Sequence, residues 1–260
     1  MPDTLNPQRM LLAKLRGNDF THAGDQQAID LVLCDINNLL MSHPDLQILD
    51  VGCGLGGTAS QFQKQGLGHV SGIDIDNAAI QHAKIHYPAV NFFTGDVMDV
   101  ADIFKPHQFD LIYMFNVFYA FQHQQASLFS LAKVAKPGAI IAIFDYVHLD
   151  TTQPFALQDL AEKSMHPIVE EKLYEWLANA GWELVKESDL SQQYINWYQE
   201  LIIKLNNNRI DLIREFTQSI FDKVYFAFTH LLEQLNKKIL GGVVVCARLH
   251  ASVNVHVYGI

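Results

Sequence analysis

Apolar residues along the chain follow two alternating patterns. Short, nearly continuous apolar runs are typical of buried parallel strands, and longer segments with apolar residues at helical spacing indicate helices. The runs predict six strands, at 46–51, 69–74, 90–93, 109–114, 139–144 and 182–185. The helical segments between them lie at 58–65, 77–87, about 123–135 and 167–181, the last beginning with Pro167. A turn is predicted at 136–138, before the fifth strand. This alternation predicts an α/β fold with a doubly wound, mostly parallel sheet.

The segments before and after this alternation are helical. A short helix is predicted at 10–15, a polar loop at 16–25 and an amphipathic helix at 26–41, with Asp25 as its N-cap. After Ser188, apolar spacing predicts three helices, around 194–205, 210–221 and 224–235. A run at 241–248 predicts a seventh strand that pairs antiparallel with the sixth. The expected fold is a Rossmann-like, seven-stranded sheet with its last strand antiparallel, N-terminal helices and a helical insertion between strands six and seven.

The first predicted strand runs directly into a glycine-rich stretch, LDVGCGLGG at 49–57. Strand, glycine loop and helix start together are typical of a nucleotide-type site, because glycines let the backbone approach a ligand and a helix N-terminus offers free N–H groups. Gly52, Gly54 and Gly57 match the dinucleotide pattern GxGxxG, whereas Gly52, Gly54 and Gly56 match GxGxG. The glycine spacing alone leaves both ligand classes open.

Polar side chains stand at the ends of five successive predicted strands. They are Asp50, Asp74, Asp96, the pair Phe115-Asn116 and the pair Asp145-Tyr146. Ligands of doubly wound sheets bind outside the carboxyl ends of the strands, at the point where the strand order reverses. The sequence therefore predicts a binding site that combines these residues with the glycine loop.

Composition narrows the class of protein. The chain has 260 residues, 49% of them hydrophobic, with a net charge of −10 and no basic cluster. This balance argues against nucleic acid and anionic membranes as partners. Three widely spaced cysteines make neither a disulfide framework nor a metal site, and we expect no metal. No signal peptide and no membrane-spanning run is found, so a cytoplasmic protein without membrane insertion is expected.

With these strand ends in place, the chain resembles the class I S-adenosylmethionine (SAM) dependent methyltransferases. The matching motifs are LDVGCGLGG at 49–57, GIDID at 72–76, TGDV at 94–97, FDLIY at 109–113 and KPGA at 136–139. The resemblance covers roughly 46–250 and implies SAM as cofactor and S-adenosylhomocysteine (SAH) as product. A dinucleotide-binding protein becomes the weaker alternative, because an NAD fingerprint normally lacks an acid such as Asp50 ahead of its glycines and does not require Gly95-Asp96.

The resemblance also implies roles for the residues at the strand ends. Asp50 and the backbone of Gly52, Cys53, Gly54 and Gly56 would hold the methionine end of SAM. Asp74 would accept hydrogen bonds from both ribose hydroxyls. Asp96 and Val97 would bind the adenine, Ile75 would pack on its ring, and Phe115 and Asn116 would line the methyl end. Cys53 is expected to be a small spacer in the loop.

The division of the chain follows from the same resemblance. We expect an N-terminal helical lid at 1–45, a SAM-binding core at 46–188 and 239–260, and a helical insertion at 189–238 over the substrate pocket. The expected reaction is in-line transfer of a methyl group to an amine or hydroxyl of a small molecule. Protein or nucleic-acid methylation and a non-catalytic SAM-binding protein are the alternatives. A monomer or homodimer is expected.

Within this family the chain is similar to the phosphoethanolamine, sarcosine/dimethylglycine and quinone-type methyltransferases. Asp145-Tyr146 matches the Asp-Tyr of the phosphobase enzymes, but those enzymes carry an acid at the position of Asn116 and a histidine at that of Ala120. A phosphobase substrate is therefore in doubt, and no catalytic histidine carries over.

The acceptor side of the site is predicted from position in the chain. The candidate catalytic residues are Tyr146, His148 and Tyr194. The candidate substrate contacts are His22, Tyr119, Tyr146, Tyr194, Trp197 and Tyr198. The last three side chains are interpreted either as a cation–π cage for a methylated amine or as the core of their helix.

Overall fold

The fold is described from a computed structural model, which covers residues 4–37, 39–40, 45–153, 155, 157–158, 160 and 164–251. The end of the predicted helix at 26–41 lies partly outside these ranges, and so do the first residues of the predicted lid and the last residues of the predicted core.

A seven-stranded sheet forms the centre of the described chain. Its strands are β1 (Leu46–Val51), β2 (Gly68–Asp74), β3 (Asn91–Thr94), β4 (Phe109–Phe115), β5 (Ala135–His148), β6 (Trp182–Asp189) and β7 (Leu240–Leu249). The spatial order is β3-β2-β1-β4-β5-β7-β6. Strands β1 to β5 pair in parallel, while β7 is antiparallel to both β5 and β6. The predicted sheet is confirmed, and the order reverses between β1 and β4, where such sheets bind ligands.

Ten α-helices surround the described strands. The N-terminal pair is α1 (Pro7–Arg16) and α2 (Asp25–Asn37); the connecting helices are α3 (Gly57–Lys64), α4 (Asn77–His86), α5 (Val100–Ile103), α6 (Gln124–Val134) and α7 (Glu170–Asn179). Between β6 and β7 lie α8 (Ser191–Asn207), α9 (Arg209–Phe216) and α10 (Gln218–Asn236). Helix α1 begins after Asn6 and α4 after Asp76, whose side chains each accept two backbone N–H bonds of the first turn.

Four local predictions differ from the structure. Helix α2 begins at Asp25 itself, which has φ +46°, and the carboxylate lies 3.4 Å from Arg16 Nε. The predicted turn at 136–138 lies inside β5, where the register against β4 shifts. Helix α7 begins at Glu170 and not at Pro167, because Ile168 bridges to Val147 of β5. The second insertion helix ends before Thr217 (φ +85°), so residues 220 and 221 belong to α10.

The two faces of the sheet carry separate apolar clusters. Along β5, alternate side chains such as Phe144 and Tyr146 face a cluster shared with α2, α3, α8 and α10. Their neighbours Ile143 and Val147 face the cluster that contains α6 and α7. The N-terminal helices and the insertion therefore pack on the same face. This arrangement brings the aromatic residues of α8 to the carboxyl end of β5.

We find no helix among the described residues with the length and apolar character needed to cross a membrane.

Candidate functional site

The glycine loop joins β1 to α3 and is tied to the neighbouring strand. The backbone N–H groups of Gly52 and Cys53 both donate to the Ile73 carbonyl, at 2.7 and 3.1 Å. The N-terminal segment covers the loop closely. A Cβ atom at Gly57 would lie 2.7 Å from the Asp19 backbone, and one at Gly54 would lie 3.1 Å from Thr21 Oγ1. The loop therefore lies between β2 and the residues that connect α1 to α2.

A substitution at Gly56 tests the packing of this loop. Gly56 has φ +88°, and an added Cβ would lie 2.8 Å from both Ala83 Cβ and Phe92 Cζ. We expect Gly56→Ala to lower the free energy of unfolding by about 2–4 kcal/mol, the sum of left-handed backbone strain and overpacking. Gly66 is the matched control, because it has φ +71° and no atom within 4 Å of an added Cβ. Gly66→Ala should lower the free energy of unfolding, measured with urea, by only about 1–2 kcal/mol. Equal losses of stability in Gly56→Ala and Gly66→Ala would contradict the role of packing at Gly56.

Asp74 connects the loop to the next helix. Its Oδ2 accepts from the Gly54 N–H at 2.8 Å, and its Oδ1 accepts from the Asp76 N–H at 2.9 Å. Each carboxylate oxygen retains a second lone pair for a further donor. Asp96, which follows β3, is half-buried, and its Oδ1 accepts from the Met98 N–H at 2.9 Å. Both predicted ligand-binding acids therefore lie on neighbouring strand ends.

Asp50 is the most deeply buried acid of the loop region. Burial raises the pKa of its carboxyl group well above the usual range, and the neighbouring Tyr113 hydroxyl opposes this rise. Its Oδ2 is buried and has no hydrogen-bond partner within the described part of the chain. Cys53 beside it is also buried, which raises the pKa of its thiol. The thiol therefore stays protonated, as a spacer would, while Asp50 has an unused oxygen.

Two apolar side chains are exposed beside these acids. Ile75, which follows β2, is 61% exposed, and Met98, shortly after β3, is 39% exposed. Val97, which lies between Asp96 and Met98 in the sequence, is buried. Since β2 and β3 are adjacent, both exposed side chains stand at the same edge of the sheet. Met98 was not predicted as a site residue, although its place two positions after Asp96 was a signal for it.

The four predicted tyrosines meet in one group, which we call the tyrosine cluster: the half-buried Tyr119 and the buried Tyr146, Tyr194 and Tyr198. Ring centroids are 5.4 Å apart for Tyr119 and Tyr146, 5.4 Å for Tyr146 and Tyr194, and 6.0 Å for Tyr194 and Tyr198. The hydroxyl groups of Tyr146 and Tyr198 share a hydrogen bond. Burial raises the pKa values of Tyr146, Tyr194 and Tyr198. Their hydroxyls therefore remain protonated and act as hydrogen-bond groups, not as bases.

Asn116 links three parts of the molecule. It follows β4 with φ +48°. Its Oδ1 accepts from the Ala23 N–H at 2.9 Å, and its Nδ2 donates to the Tyr194 hydroxyl at 2.9 Å. One side chain thus joins the end of β4, the loop before α2 and the tyrosine cluster. Its neighbour Phe115 contacts the His22 ring, with centroids 4.7 Å apart.

His22 lies among aromatic rings in the loop before α2. Burial lowers the pKa of its imidazole to about 3, so the ring is neutral at physiological pH. Nδ1 lies 2.9 Å from the Ala23 carbonyl and therefore carries the proton that it donates there. Nε2 is buried and has no partner among the described residues. This nitrogen offers a lone pair beside Phe115.

Trp197 and His148 lie at the margins of the tyrosine cluster. The Trp197 ring is 5.6 Å from that of Tyr194, and its Nε1 donates to Gln27 Oε1 at 2.8 Å. In this conformation Trp197 is buried as core, and the cation–π cage stays a prediction. The ring of His148 is 5.8 Å from Phe155, and its Nε2 is another buried nitrogen with no partner among the described residues.

Asp145 is a site residue that our list of candidate catalytic residues did not include. It is fully buried within β5, which continues past the predicted end at 144 to His148, and it accepts from the Tyr146 N–H at 2.7 Å and the Tyr119 N–H at 3.2 Å. Burial raises its pKa to about 7, and these hydrogen bonds oppose the rise. Its position at a strand end was the available signal. Asp145 fixes the backbone of two members of the tyrosine cluster.

The described part of the chain contains no group of three or more His, Cys, Asp or Glu side chains that could hold a metal ion.

A parallel sheet with an antiparallel last strand and a glycine loop flanked by strand-end acids defines the Rossmann-like methyltransferase fold. The chain belongs to the methyltransferase domain family, whose model matches residues 42–193, more than half of the chain. The resemblance deduced from the sequence motifs is thereby confirmed. Phosphoethanolamine N-methyltransferase of Triticum aestivum is 25% identical over 202 residues, which are 76% of this chain and 40% of that protein. The chain thus spans about two fifths of the length of this enzyme and of phosphoethanolamine N-methyltransferase 1 of Zea mays.

Solved structures share the whole fold at low sequence identity. Phosphoethanolamine N-methyltransferase 2 of Haemonchus contortus, in complex with phosphomonomethylethanolamine and SAH, has a TM-score of 0.76 and 15% identity. The similarity covers 93% of this chain and 57% of that one. The cyclase SpnF also has a TM-score of 0.76, with 17% identity and coverage of 96% and 98%. At such identities the likeness concerns the fold alone.

Proposed function

We propose that the chain transfers a methyl group from SAM to an amine or hydroxyl group of a small molecule. The observation that carries the proposal is the row of carboxylates around the glycine loop. Asp50 lies near the end of β1, Asp74 ends β2 and Asp96 follows β3, and these three strands are adjacent in the sheet. The glycine loop is bound to this row through the Gly54 N–H, which donates to Asp74. The orphaned Oδ2 of Asp50 and the exposed Ile75 fit a cofactor with a cationic end and an apolar base.

On this proposal, each residue of the row binds a different part of SAM. Asp50 and the loop backbone from Gly52 to Gly56, which includes Cys53 and Gly54, would hold the methionine end. Asp74 would accept the ribose hydroxyls with its remaining lone pairs. Asp96 and Val97 would bind the adenine between Ile75 and Met98. When bound, SAM supplies a methyl group on a positively charged sulfur, which needs no further activation.

The chain's own part in the reaction is to orient the acceptor and exclude water. Protonated hydroxyls of Tyr146 and Tyr194 would donate hydrogen bonds to the acceptor, and Asn116 would hold Tyr194 in place. The lone pair of His22 Nε2 would accept a hydrogen bond from the O–H or N–H group of the molecule to be methylated. A pKa of about 3 makes His22 a weak base, so its contribution is orientation. The burial of Tyr146, Tyr194 and His22 favours a small acceptor over a protein or nucleic acid.

The domain organisation belongs to the same proposal. Residues 1–45 would act as a lid, supported by the contacts of Asp19 and Thr21 with the glycine loop. The lid is attached further through the Asp19 carboxylate, whose Oδ2 is 2.9 Å from His82 Nε2 and accepts from the Tyr87 hydroxyl at 2.8 Å. Residues 189–238 would cover the substrate pocket from the same side. A cytoplasmic monomer or homodimer that binds no nucleic acid completes the proposal.

The cofactor assignment is tested by calorimetric titration with SAM, SAH and NAD. We expect micromolar binding of the first two and none of NAD. Tight NAD binding would instead support the dinucleotide alternative left open by the glycine spacing.

The reaction is tested by a transfer screen with methyl-labelled SAM over amines, phosphobases, phenols and quinols. We expect label in at least one acceptor class and SAH in equal amount. Binding of SAM without transfer to any of these, to proteins or to nucleic acid would favour a use of the fold without methyl transfer, as in a SAM-binding protein or a cyclase such as SpnF.

A further inference from the structure

The backbone of Ala23 determines the direction of two hydrogen bonds on the acceptor side. Its carbonyl oxygen can only accept, so His22 Nδ1, 2.9 Å away, carries the imidazole proton and Nε2 keeps a lone pair. Its N–H can only donate, so the Asn116 side-chain atom 2.9 Å away is the amide oxygen. One residue therefore fixes both the tautomer of His22 and the orientation of the Asn116 amide.

The orientation of this amide determines the polarity of the Tyr194 hydroxyl. Because the amide oxygen of Asn116 faces Ala23, its Nδ2 group faces Tyr194 and donates to the hydroxyl oxygen at 2.9 Å. The phenolic hydrogen takes no part in this bond, and no further partner of the hydroxyl is found within the described chain. Burial keeps the group protonated by raising its pKa. Tyr194 therefore has a hydrogen to donate.

The unused donor and the unused acceptor lie against the same aromatic ring. The Tyr194 ring stacks on Phe144 with centroids 5.2 Å apart, and the His22 ring meets Phe144 edge-on at 6.1 Å. His22 also follows Thr21, whose Oγ1 would lie 3.1 Å from a Cβ atom at Gly54. An O–H donor and a nitrogen lone pair are thus placed near each other, beside the loop that is proposed to hold the methionine end of SAM.

The buried acid of the acceptor side is already faced by donors of the chain. Four of them are directed at the two oxygens of Asp145: the N–H groups of Phe118, Tyr119 and Tyr146 and the amide of Asn116. A carboxylate has about four lone-pair positions for donors. An ammonium group would therefore have to compete with the chain's own donors for this carboxylate.

These polarities distinguish between the two kinds of acceptor considered so far. A hydroxyl group has one hydrogen and two lone pairs. It can donate to His22 Nε2, accept from Tyr194 and keep one lone pair for the methyl carbon. A neutral amine has a single lone pair, which a hydrogen bond from Tyr194 would occupy. An ammonium group has no lone pair and cannot accept from Tyr194 at all.

We propose that the methyl acceptor is a hydroxyl oxygen held between the Tyr194 hydroxyl and His22 Nε2, so that the chain carries out O-methylation. The inference rests on the proposed function, because it takes these two side chains as the acceptor side of a SAM site.

The transfer step conserves charge within this site. A lone pair of the acceptor oxygen bonds to the methyl carbon, and the carbon–sulfur bond breaks with its electron pair staying on sulfur. The hydroxyl proton passes to His22 Nε2, so one positive charge moves from sulfur to the imidazole. The oxygen becomes strongly acidic as the new bond forms, so an imidazole with a pKa of about 3 is sufficient to take the proton. The proton passes to water when the products leave.

Three benzyl compounds of similar size test the polarity of the site: benzyl alcohol, benzyl methyl ether and benzylammonium. Their dissociation constants are measured by calorimetry on the full chain, with and without SAH. We expect the alcohol to bind at least tenfold more tightly than the ether, which cannot donate to His22. The alcohol should exceed the cation by a similar factor, because the cation cannot accept from Tyr194.

Two substitutions assign this preference to the two groups. His22→Phe should abolish the difference between the alcohol and the ether. His69→Phe, at an exposed position near the amino end of β2, is the matched control and should preserve it. Asn116→Asp keeps an oxygen for the Ala23 N–H but places a second oxygen opposite Tyr194, which then donates to it. This isosteric variant should bind benzyl alcohol at least tenfold more weakly, and it keeps the test decisive if His22→Phe does not fold.

Methyl transfer to 4-aminophenol tests the choice of atom within one molecule. With methyl-labelled SAM we expect 4-methoxyaniline, although the amine is the more nucleophilic group. Label on nitrogen, equal binding of alcohol and ether, or tighter binding of benzylammonium would overturn the inference. If neither group is labelled, the probe affinities alone decide. Absence of SAH binding would refute the proposed function separately, because the probes are compared with and without SAH.

Discussion

Asp74→Ala is expected to weaken SAH binding at least tenfold in calorimetric titration. The wild-type carboxylate lies at the end of β2, and each of its oxygens accepts one backbone N–H, from Gly54 and from Asp76. Removing it eliminates the proposed charge-assisted bonds to the ribose, each worth about 1.5–3 kcal/mol. It also releases the Gly54 N–H, so the glycine loop loses one of its attachments. We therefore expect a lower melting temperature as well as weaker binding.

The neighbouring acid Asp76 provides the control for this experiment. Asp76→Ala removes the N-cap of α4 and the ion pair with Arg9, whose Nη1 lies 3.3 Å away. It should cost about 1 kcal/mol of stability and leave SAH affinity nearly unchanged. Asp74→Asn keeps one acceptor oxygen, so its SAH affinity should be intermediate between those of Asp74→Ala and the wild type. An Asp74→Ala chain that is destabilised but binds SAH normally would contradict the ribose assignment and leave only the structural role.

The predictions that proved reliable depend on local sequence. The apolar run before Gly52 predicts a buried strand, and the glycines after it predict a loop, because both preferences act within a few residues. Placing the strand-end acids near one another required only that parallel strands share the direction of their carboxyl ends. These regularities were sufficient for the fold class and for placing the acids at neighbouring strand ends.

The acceptor side depends on contacts between distant parts of the chain. The hydrogen bond between Tyr146 and Tyr198 joins residues 52 positions apart, and the bond from Ala23 to Asn116 spans 93. No periodicity in the sequence encodes such pairs. Likewise, β7 pairs with β5 as well as β6 because the insertion returns the chain between them. The break at Thr217 was missed since apolar spacing continues across it.

Two buried titratable groups of the acceptor side have opposite effects on stability. Asp145 has a pKa raised by burial to about 7, so between about pH 4 and 7 the folded chain holds a proton that the unfolded chain has lost. Its contribution to stability therefore falls as pH rises through this window. His22 has a pKa lowered by burial to about 3, so between about pH 3 and 6.5 the unfolded chain holds the additional proton. Its contribution rises with pH, and the two largely cancel from about pH 4 to 6.5.

Single substitutions should reveal both contributions. Each shift is about three units, equivalent to on the order of 4 kcal/mol at full extent. Relative to the wild type, Asp145→Asn should gain stability as pH rises from 4 to 7, because the loss caused by the buried carboxylate is absent. His22→Phe should lose relative stability from pH 3 to 6.5, because the imidazole no longer favours the folded state at higher pH. Urea unfolding at intervals of pH measures both differences.

The comparison with wild type isolates these two groups from the other buried acids. Asp50, whose pKa is also raised by burial, shifts stability in the same direction as Asp145 but is present in all three chains. Its contribution is removed when the free energies of unfolding are subtracted at each pH. If the free energies of unfolding of both variants changed with pH as the wild-type value does, His22 and Asp145 would have ordinary pKa values in the folded chain. The tyrosine cluster would then be open to water, and the proposal that a buried His22 orients the acceptor would have to be abandoned.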